Sequence, residues 1–392
     1  MVVLGGLETA AGGLLDHRVV WSVRFGRPPR PTCGVGAGGL VVRRGVAWAG
    51  SVPGVKVLVT GGAGYIGSIT AKALEEAGHV PVVLDSLLSG PQAFVRDRIF
   101  YEGDIADRAL LRRIAAEHPD LDATIHMAAR IVVPESMEQP YLYYRDNVAK
   151  SLELFDELTA LGLTRVLFSS SASLYAAKDA SGDDLEVTED DALAPTSPYA
   201  WTKRMIEQVL VDLAGATDLR AVILRYFNPI GSDPGLESGV YAKEPSHVLG
   251  QLVLAARGQK PSFTITGTDH PTRDGTGLRD YIHVWDLARA HVRAVEQFDD
   301  VLAAVDAPST VINVGAGHGV TVRELVAAFE RVFGSPVPVT EAGPRPGDAI
   351  GAYANADKAA RLLGWRTELS LDDAIASALA WAERRSDVLG YE

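Results

Sequence analysis

One segment restricts the fold of this chain more than any other: VKVLVTGGAGYIGS, beginning at Val55. VKVLVT is short, apolar and β-branched, which reads as a strand buried on both faces. Gly61, Gly64 and Gly67 follow, and then ITAKALEEAGH, whose Ile69, Leu74 and alanines share one helical face. Glycines let a backbone approach a pyrophosphate, and a helix N-terminus supplies free amides and a positive dipole. A second buried strand, VPVVLD, ends in Asp85, eighteen residues after Gly67. A carboxylate there accepts hydrogen bonds from ribose hydroxyls and repels a 2′-phosphate, which favours NAD over NADP. A Gly-rich turn alone would carry little weight; the order strand, turn, helix, strand, acid predicts a dinucleotide cradle.

The alternation continues. ALLRRIAAEH reads as a helix, DATIHMAA as a strand, VAKSLELFDELTALG as a helix and RVLFSSSASLY as a strand. SPYAWTKRMIEQVLVDLAG is then a long helix, and RAVILRYFNPIG a strand running into a loop. The expected fold is α/β: a Rossmann-type doubly wound parallel sheet with helices on both faces. Beyond residue 232 the rhythm loosens. Residues 233–247 and 262–280 are rich in Gly, Pro, Thr and Asp and read as binding loops. Later helices are marked by the capping pairs Thr321/Glu324 and Ser370/Asp373. The expected organisation is an NAD-binding domain at 55–232 and a smaller C-terminal α/β domain at 233–392, which binds substrate and returns some segments to the first.

Residues 1–54 do not fit this pattern. They hold six arginines against Glu8 and Asp16, so of the net charge of -13 the remainder carries -17. Arg43 and Arg44 interrupt the longest apolar run, which excludes a membrane span there, and no basic region opens a secretory signal. The leader reads as disordered, or as translated from upstream of a true start near Val55. The acidic balance argues against nucleic-acid binding, and no stretch reads as membrane-binding. The single cysteine, Cys33, lies in the leader, so the rest of the chain has no cysteine nucleophile, thiolate zinc site or disulfide framework. No His/Asp/Glu cluster has metal spacing, and no metal is expected. A cytoplasmic location fits these features.

The reactive centre is read from three positions. Tyr199 and Lys203 are four apart at the start of the long helix, which puts them on one face with Cβ atoms roughly 5–6 Å apart. An ammonium that close to a phenol is expected to lower its pKa and make a general base. Ser171 ends the preceding strand, at the carboxyl edge where such sheets bind ligands, and its hydroxyl would assist the base.

The motifs TGGAGYIGS, SSSASLY, SPYAWTK, RYFNPIG and DGTGLRDYIHVWDLA, spread from Val55 to the C-terminal part, resemble those of the extended short-chain dehydrogenase/reductase family, and within it the UDP-glucose 4-epimerase (UDP-galactose 4-epimerase) branch. The last two motifs are the more specific. The resemblance implies NAD-dependent 4-epimerisation of a UDP-hexose through a transient 4-keto sugar, with Tyr199 as base, Lys203 on the nicotinamide ribose and Ser171 assisting. Cofactor contacts would come from Gly61, Gly64, Tyr65, Ile66, Gly67, Asp85, Asp104, Ile105, Met127, Ala128, Ala129, Asn147, Tyr199, Lys203 and Phe227. The UDP-sugar would meet Ser171, Asn228, His247, Val248, Arg279, Tyr281, Arg345, Asp348 and Ala352, with the two arginines neutralising the diphosphate. A homodimer through helices near 147–162 and 198–214 is also implied.

Two positions depart from the familiar pattern. Ile131 stands where many epimerases have a lysine on the nicotinamide ribose, so either Arg130 substitutes or that contact is missing. Ala352 stands where some members place a bulky tyrosine near the sugar's 2-substituent, which predicts room for an N-acetyl group. Rival readings are a UDP-N-acetylglucosamine, UDP-glucuronate or UDP-pentose 4-epimerase, a nucleotide-sugar dehydratase and a non-catalytic NAD(P) sensor. A dehydratase needs an acid pair after the serine strand, where Ala172 and Ser173 stand instead; a sensor usually loses the Tyr–Lys pair.

Overall fold

Seven parallel strands form the central sheet: β1 (Lys56–Thr60), β2 (Val80–Asp85), β3 (Ile99–Glu102), β4 (Leu121–His126), β5 (Arg165–Ser171), β6 (Arg220–Tyr226) and β7 (Ser309–Val314). Their spatial order is β3-β2-β1-β4-β5-β6-β7, so the chain reverses direction across the sheet between β1 and β4. The computed structural model describes residues 54–176, 185–343 and 350–391. The leader, Arg345 and Asp348 lie outside the described residues.

Alternation along each strand explains why both faces are covered. Val57, Val59, Ile125, Leu167, Val222, Leu224 and Ile312 point to one apolar core. That core is closed by α1 (Tyr65–Glu76) and α6 (Val284–Glu296). Leu58, Val82, Leu84, Val166, Phe168 and Ile223 point to the other. There α2 (Arg108–Glu117), α3 (Lys150–Ala160) and α4 (Pro198–Ala216) supply Leu111, Phe155, Ile206 and Leu210. Each such fully buried side chain contributes about 1.5–3 kcal/mol relative to an exposed one.

Beyond the sheet, α5 (Val248–Ala256), α7 (Val322–Phe333) and α8 (Leu371–Leu389) enclose a third core around Leu252, Phe329 and Ile375. Both capping boxes read from the sequence are formed, Thr321 with Glu324 and Ser370 with Asp373. Two sequence readings are refined. The stretch 262–280 is not loop throughout: Phe263–Thr266 is a strand pairing in parallel with Val339–Ala342. Its alternating burial was hidden by the surrounding Gly, Pro and Asp. RAVILRYFNPIG does not run from strand into loop but holds a second short strand. The chain leaves the large sheet after Tyr226, and Asn228–Ile230 pairs instead with Tyr281–His283.

A small four-stranded sheet completes the frame. Val320–Thr321, Leu278–Arg279, Gly351–Ala354 and Glu186–Val187 lie side by side, and Arg279 is in register with Ala352. No helix among the described residues is long and apolar enough to cross a membrane.

Candidate active site

The Gly-rich turn sits where β1 hands over to α1. Gly61 has φ +75, a left-handed conformation that favours glycine. A Cβ at Gly61 would stand 2.7 Å from the Ala128 amide nitrogen, and one at Gly67 would stand 2.2 Å from the Gly61 carbonyl oxygen. Only bare backbone closes this turn. Gly64 caps α1 without a side-chain hydrogen bond, leaving first-turn amides directed at the sheet's carboxyl edge. Asp85 ends β2 beside them. Its Oδ2 accepts from the Ala63 amide at 2.9 Å and its Oδ1 from the Leu87 amide at 2.8 Å. Burial pushes its pKa up, and these two amides pull against that. A cradle without Cβ atoms, exposed helix amides and a carboxylate fit the diphosphate and a ribose diol of NAD.

Other expected cofactor residues also make contacts within the protein. The Tyr65 hydroxyl donates to the Gly231 carbonyl at 2.7 Å, so its ring clamps the turn to a distant loop. Ile66 packs against the first core. Asp104 is paired with Lys150 at 2.5 Å and caps the Ala106 amide, beside buried Ile105. Met127, Ala128 and Ala129 leave β4 next to the turn, with the Met127 amide donating to the Thr60 carbonyl at 3.1 Å. Asn147 is fully buried and spent on structure. Its Oδ1 accepts from the Arg130 amide at 2.8 Å, and its Nδ2 donates to the Arg130 carbonyl and to Thr202. Arg130 is held by Asp146 at 2.7 Å and near Glu135, so it is committed to structure, while Ile131 faces solvent.

The reactive centre lies at the carboxyl end of β5. Ser197 caps α4 by accepting from the Ala200 amide, and Pro198 starts it. The helix buries Tyr199 and Lys203 against the sheet. Ser171 is near enough to the Tyr199 phenol to favour its ionisation, and its Oγ meets Ser173 Oγ at 2.9 Å. Lys203 Nζ is held by a backbone carbonyl and an aromatic ring. It donates to the Ser169 carbonyl at 2.8 Å and stands 4.8 Å from the centre of the Phe168 ring. The expected depression of the Tyr199 pKa is therefore reversed here: burial raises it, with Ser171 pulling the other way. Burial also lowers Lys203 to about 7, opposed by Glu207. Desolvation outweighs the pairing that helical spacing implied.

On the far side, Phe227 stacks on Tyr175 at 6.4 Å between ring centres. These two rings share an apolar cluster with Ala172, Val187, Ala352 and Ala354. Ala352 is thus joined through packed side chains to the residue after Ser171. Arg279 donates to the Leu278 and Ile350 carbonyls at 2.7 and 2.9 Å. Asn228 donates to the Asp280 carbonyl, and buried Tyr281 is pushed up to about 12. His247 caps α5 by accepting from the Gly250 amide at 3.2 Å. It lines a separate cavity of about 260 Å³ with Gly231, Arg257 and Trp381; none of Ser171, Tyr199, Arg279 or Ala352 borders it. Val248 packs on the third core instead.

Sequence reading missed Asp280. Its carboxylate is wholly buried and accepts from the Ala316, Gly317 and Ala354 amides at 2.7, 3.1 and 3.0 Å. It fastens the loop after β7 and the Ala352 strand to Arg279's strand. An acid inside the apolar run LRDYIHV was the available signal.

A parallel dinucleotide sheet with a buried Tyr–Lys pair and a serine at its carboxyl edge defines a nicotinamide-dependent protein of the short-chain dehydrogenase/reductase type. The chain belongs to the NAD dependent epimerase/dehydratase family, which matches residues 57–315. It is 41% identical over 337 residues to a UDP-glucose 4-epimerase of Azospirillum brasilense, covering 86% of this chain and 94% of that one. A UDP-glucose-4-epimerase structure from Stenotrophomonas maltophila, with bound NAD and formylated UDP-arabinopyranose, superposes with a TM-score of 0.79. It is 36% identical and covers 85% of this chain and 99% of its own. That of Brucella ovis UDP-glucose 4-epimerase in complex with NAD gives 0.77 at 40% identity, covering 83% and 98%.

Proposed function

We propose that this protein is an NAD-dependent UDP-hexose 4-epimerase that interconverts UDP-glucose and UDP-galactose through a transient 4-keto sugar. The observation that carries this is the convergence of Ser171, Tyr199 and Lys203 beside the Gly-rich cradle, joined through Ala172 and Phe227 to the Arg279–Ala352 strand pair. Gly61, Gly64, Gly67 and Asp85 would hold NAD, which when bound would supply a reversible two-electron oxidation by taking up the hydride of the sugar C4 and giving it back. Tyr199 Oη takes the proton of the sugar 4-hydroxyl and later returns it, and Ser171 hydrogen-bonds the same oxygen. The Lys203 ammonium favours the phenolate once charge develops there. Arg279 offers a guanidinium to the UDP diphosphate. Incubation of the purified protein with UDP-galactose, UDP-N-acetylgalactosamine and UDP-galacturonate, followed by product separation, tests the reading. Conversion of none of the three, with NAD bound, would refute it.

The reading extends to N-acetylated sugars because position 352 carries only a methyl group. Ala352→Tyr is expected to lower kcat/KM for UDP-N-acetylgalactosamine relative to UDP-galactose by about 10–200-fold, the discrimination a filled pocket provides. Equal loss on both sugars would refute the role of this position.

A cytoplasmic homodimer through α3 and α4 completes the proposal. Both helices expose large apolar side chains, Leu152 on one and Trp201, Met205 and Val211 on the other, whereas apolar patches on monomers are usually small. Trp201→Glu with Met205→Glu is expected to give a folded monomer in analytical ultracentrifugation. A dimer unchanged at micromolar protein would exclude this face.

A further inference from the structure

Helix α4 carries a third buried polar residue on the face of Tyr199 and Lys203. Glu207 follows Lys203 by four positions, as Lys203 follows Tyr199, so the three form one stripe. Glu207 Oε1 accepts from Ser170 Oγ at 2.5 Å and from Arg225 Nε at 2.9 Å, and its Oε2 accepts from Arg225 Nη2 at 2.8 Å. Both side chains of this ion pair are almost fully buried. Arg225 Nη1 reaches the Tyr175 hydroxyl at 3.2 Å, and Tyr175 is the ring stacked on Phe227. One carboxylate therefore joins the three segments that carry Ser171, Tyr199 with Lys203, and Phe227 with Asn228.

Such a pair is a poor device for stability alone, because desolvation consumes most of its Coulomb attraction. What apolar side chains in its place would lack is a negative charge one helical turn beyond Lys203. The charged and titratable groups around that ammonium come from every packed element. α4 contributes Tyr199 and Glu207, β4 contributes His126, and β6 contributes Arg225 and Tyr226. α6 adds His291, bonded to Ser169 Oγ at 3.0 Å. Burial lowers His126 to about 3 and His291 to about 4, and raises Tyr226, so all three are neutral near pH 7. Arg225 is a cation. Glu207 is the anion whose charge acts on Lys203; Glu135 and Asp146, on the 133–149 segment that also packs on α4, are paired with Arg130.

We propose that Glu207 is a positioning residue for the reaction: it keeps Lys203 as the ammonium on the Tyr199 face and fixes Ser170, and with it Ser171, against the phenol. This rests on Tyr199 being the base.

Glu207→Gln removes the charge and keeps the shape. In the full-length protein the alkaline limb of kcat/KM against pH is expected to move down by about one unit or more, since an adjacent opposite charge shifts a pKa by roughly 1–3 units. Glu207→Asp is expected to bring the limb most of the way back. The phenol titration, read as ultraviolet difference absorbance against the matching Tyr199→Phe protein, is expected to move to higher pH in Glu207→Gln. A rate lowered uniformly at all pH, with both titrations unmoved, would overturn the proposal. If Glu207→Gln does not fold, the double substitution Glu207→Gln with Arg225→Gln leaves no unpaired charge and is expected to move both titrations in the same directions by less, because the Arg225 cation leaves with the anion; both unmoved there would overturn the proposal as well. Failure of the unsubstituted protein to act on UDP-sugars would count against the reaction instead, while the phenol titration, which needs no substrate, still decides the role of Glu207.

Discussion

Tyr199→Phe is expected to lower kcat by about 10²–10⁴-fold, the contribution of a well-placed general acid–base group, while leaving NAD bound. The substitution removes one hydroxyl, whose neighbour is Ser171; Ser171 retains Ser173 as a hydrogen-bond partner. The ring stays buried at the start of α4, whose cap at Ser197 and packing on the sheet do not involve the hydroxyl. KM for the UDP-sugar should therefore change little, so the loss falls on kcat. Product separation over a time course measures the rate, and chromatography of nucleotides released on denaturation measures the NAD. Epimerisation within tenfold of the unsubstituted protein would remove Tyr199 from the role of base.

Gly67→Ala is expected to abolish NAD retention. The added methyl would lie 2.2 Å from the Gly61 carbonyl oxygen and 2.9 Å from the Gly62 Cα, both backbone atoms. Backbone cannot rotate away as a flexible side chain does, so the turn must open. Opening it moves the Gly61 amide off the Leu84 carbonyl, to which it donates at 2.9 Å, and displaces the Ala63 amide from Asp85. A fall of about 100-fold or more in NAD affinity is the expected result, about 2.8 kcal/mol at about 1.4 kcal/mol per decade. Equilibrium titration followed by tryptophan fluorescence measures it. The substitution removes no side chain from any of the cores, so helix content by circular dichroism should persist. Affinity unchanged within threefold would show that this turn does not hold the cofactor.

Much of this architecture was legible from residue order. Helical spacing put Tyr199 and Lys203 on one buried face, and the apolar runs of β1, β2, β4, β5 and β6 foretold a sheet covered on both sides. Residue order did not show the partners that lie far along the chain. The Tyr65 hydroxyl donates to the Gly231 carbonyl, and Asp104 is paired with Lys150. Asn147 and Arg130 secure each other's segments. Asp280 and Glu207 carried no local motif at all, because their worth lies in three backbone amides and an arginine brought from other strands.

The sequence by itself determined most of the alternation of strands and helices, the bare-backbone turn at Gly61–Gly67 and the shared helical face of Tyr199 and Lys203. These follow from periodicity and from the absence of a Cβ, both local properties of the chain. Only the tertiary structure decided the protonation behaviour of that pair and the company of Ala352. Burial raises Tyr199 and lowers Lys203, where spacing alone predicted an ammonium acting on a phenolate. The cluster that sets Ala352 beside Ala172 and Phe227 gathers side chains from across the chain. Desolvation and packing depend on what surrounds a group in three dimensions, and no local pattern specifies that.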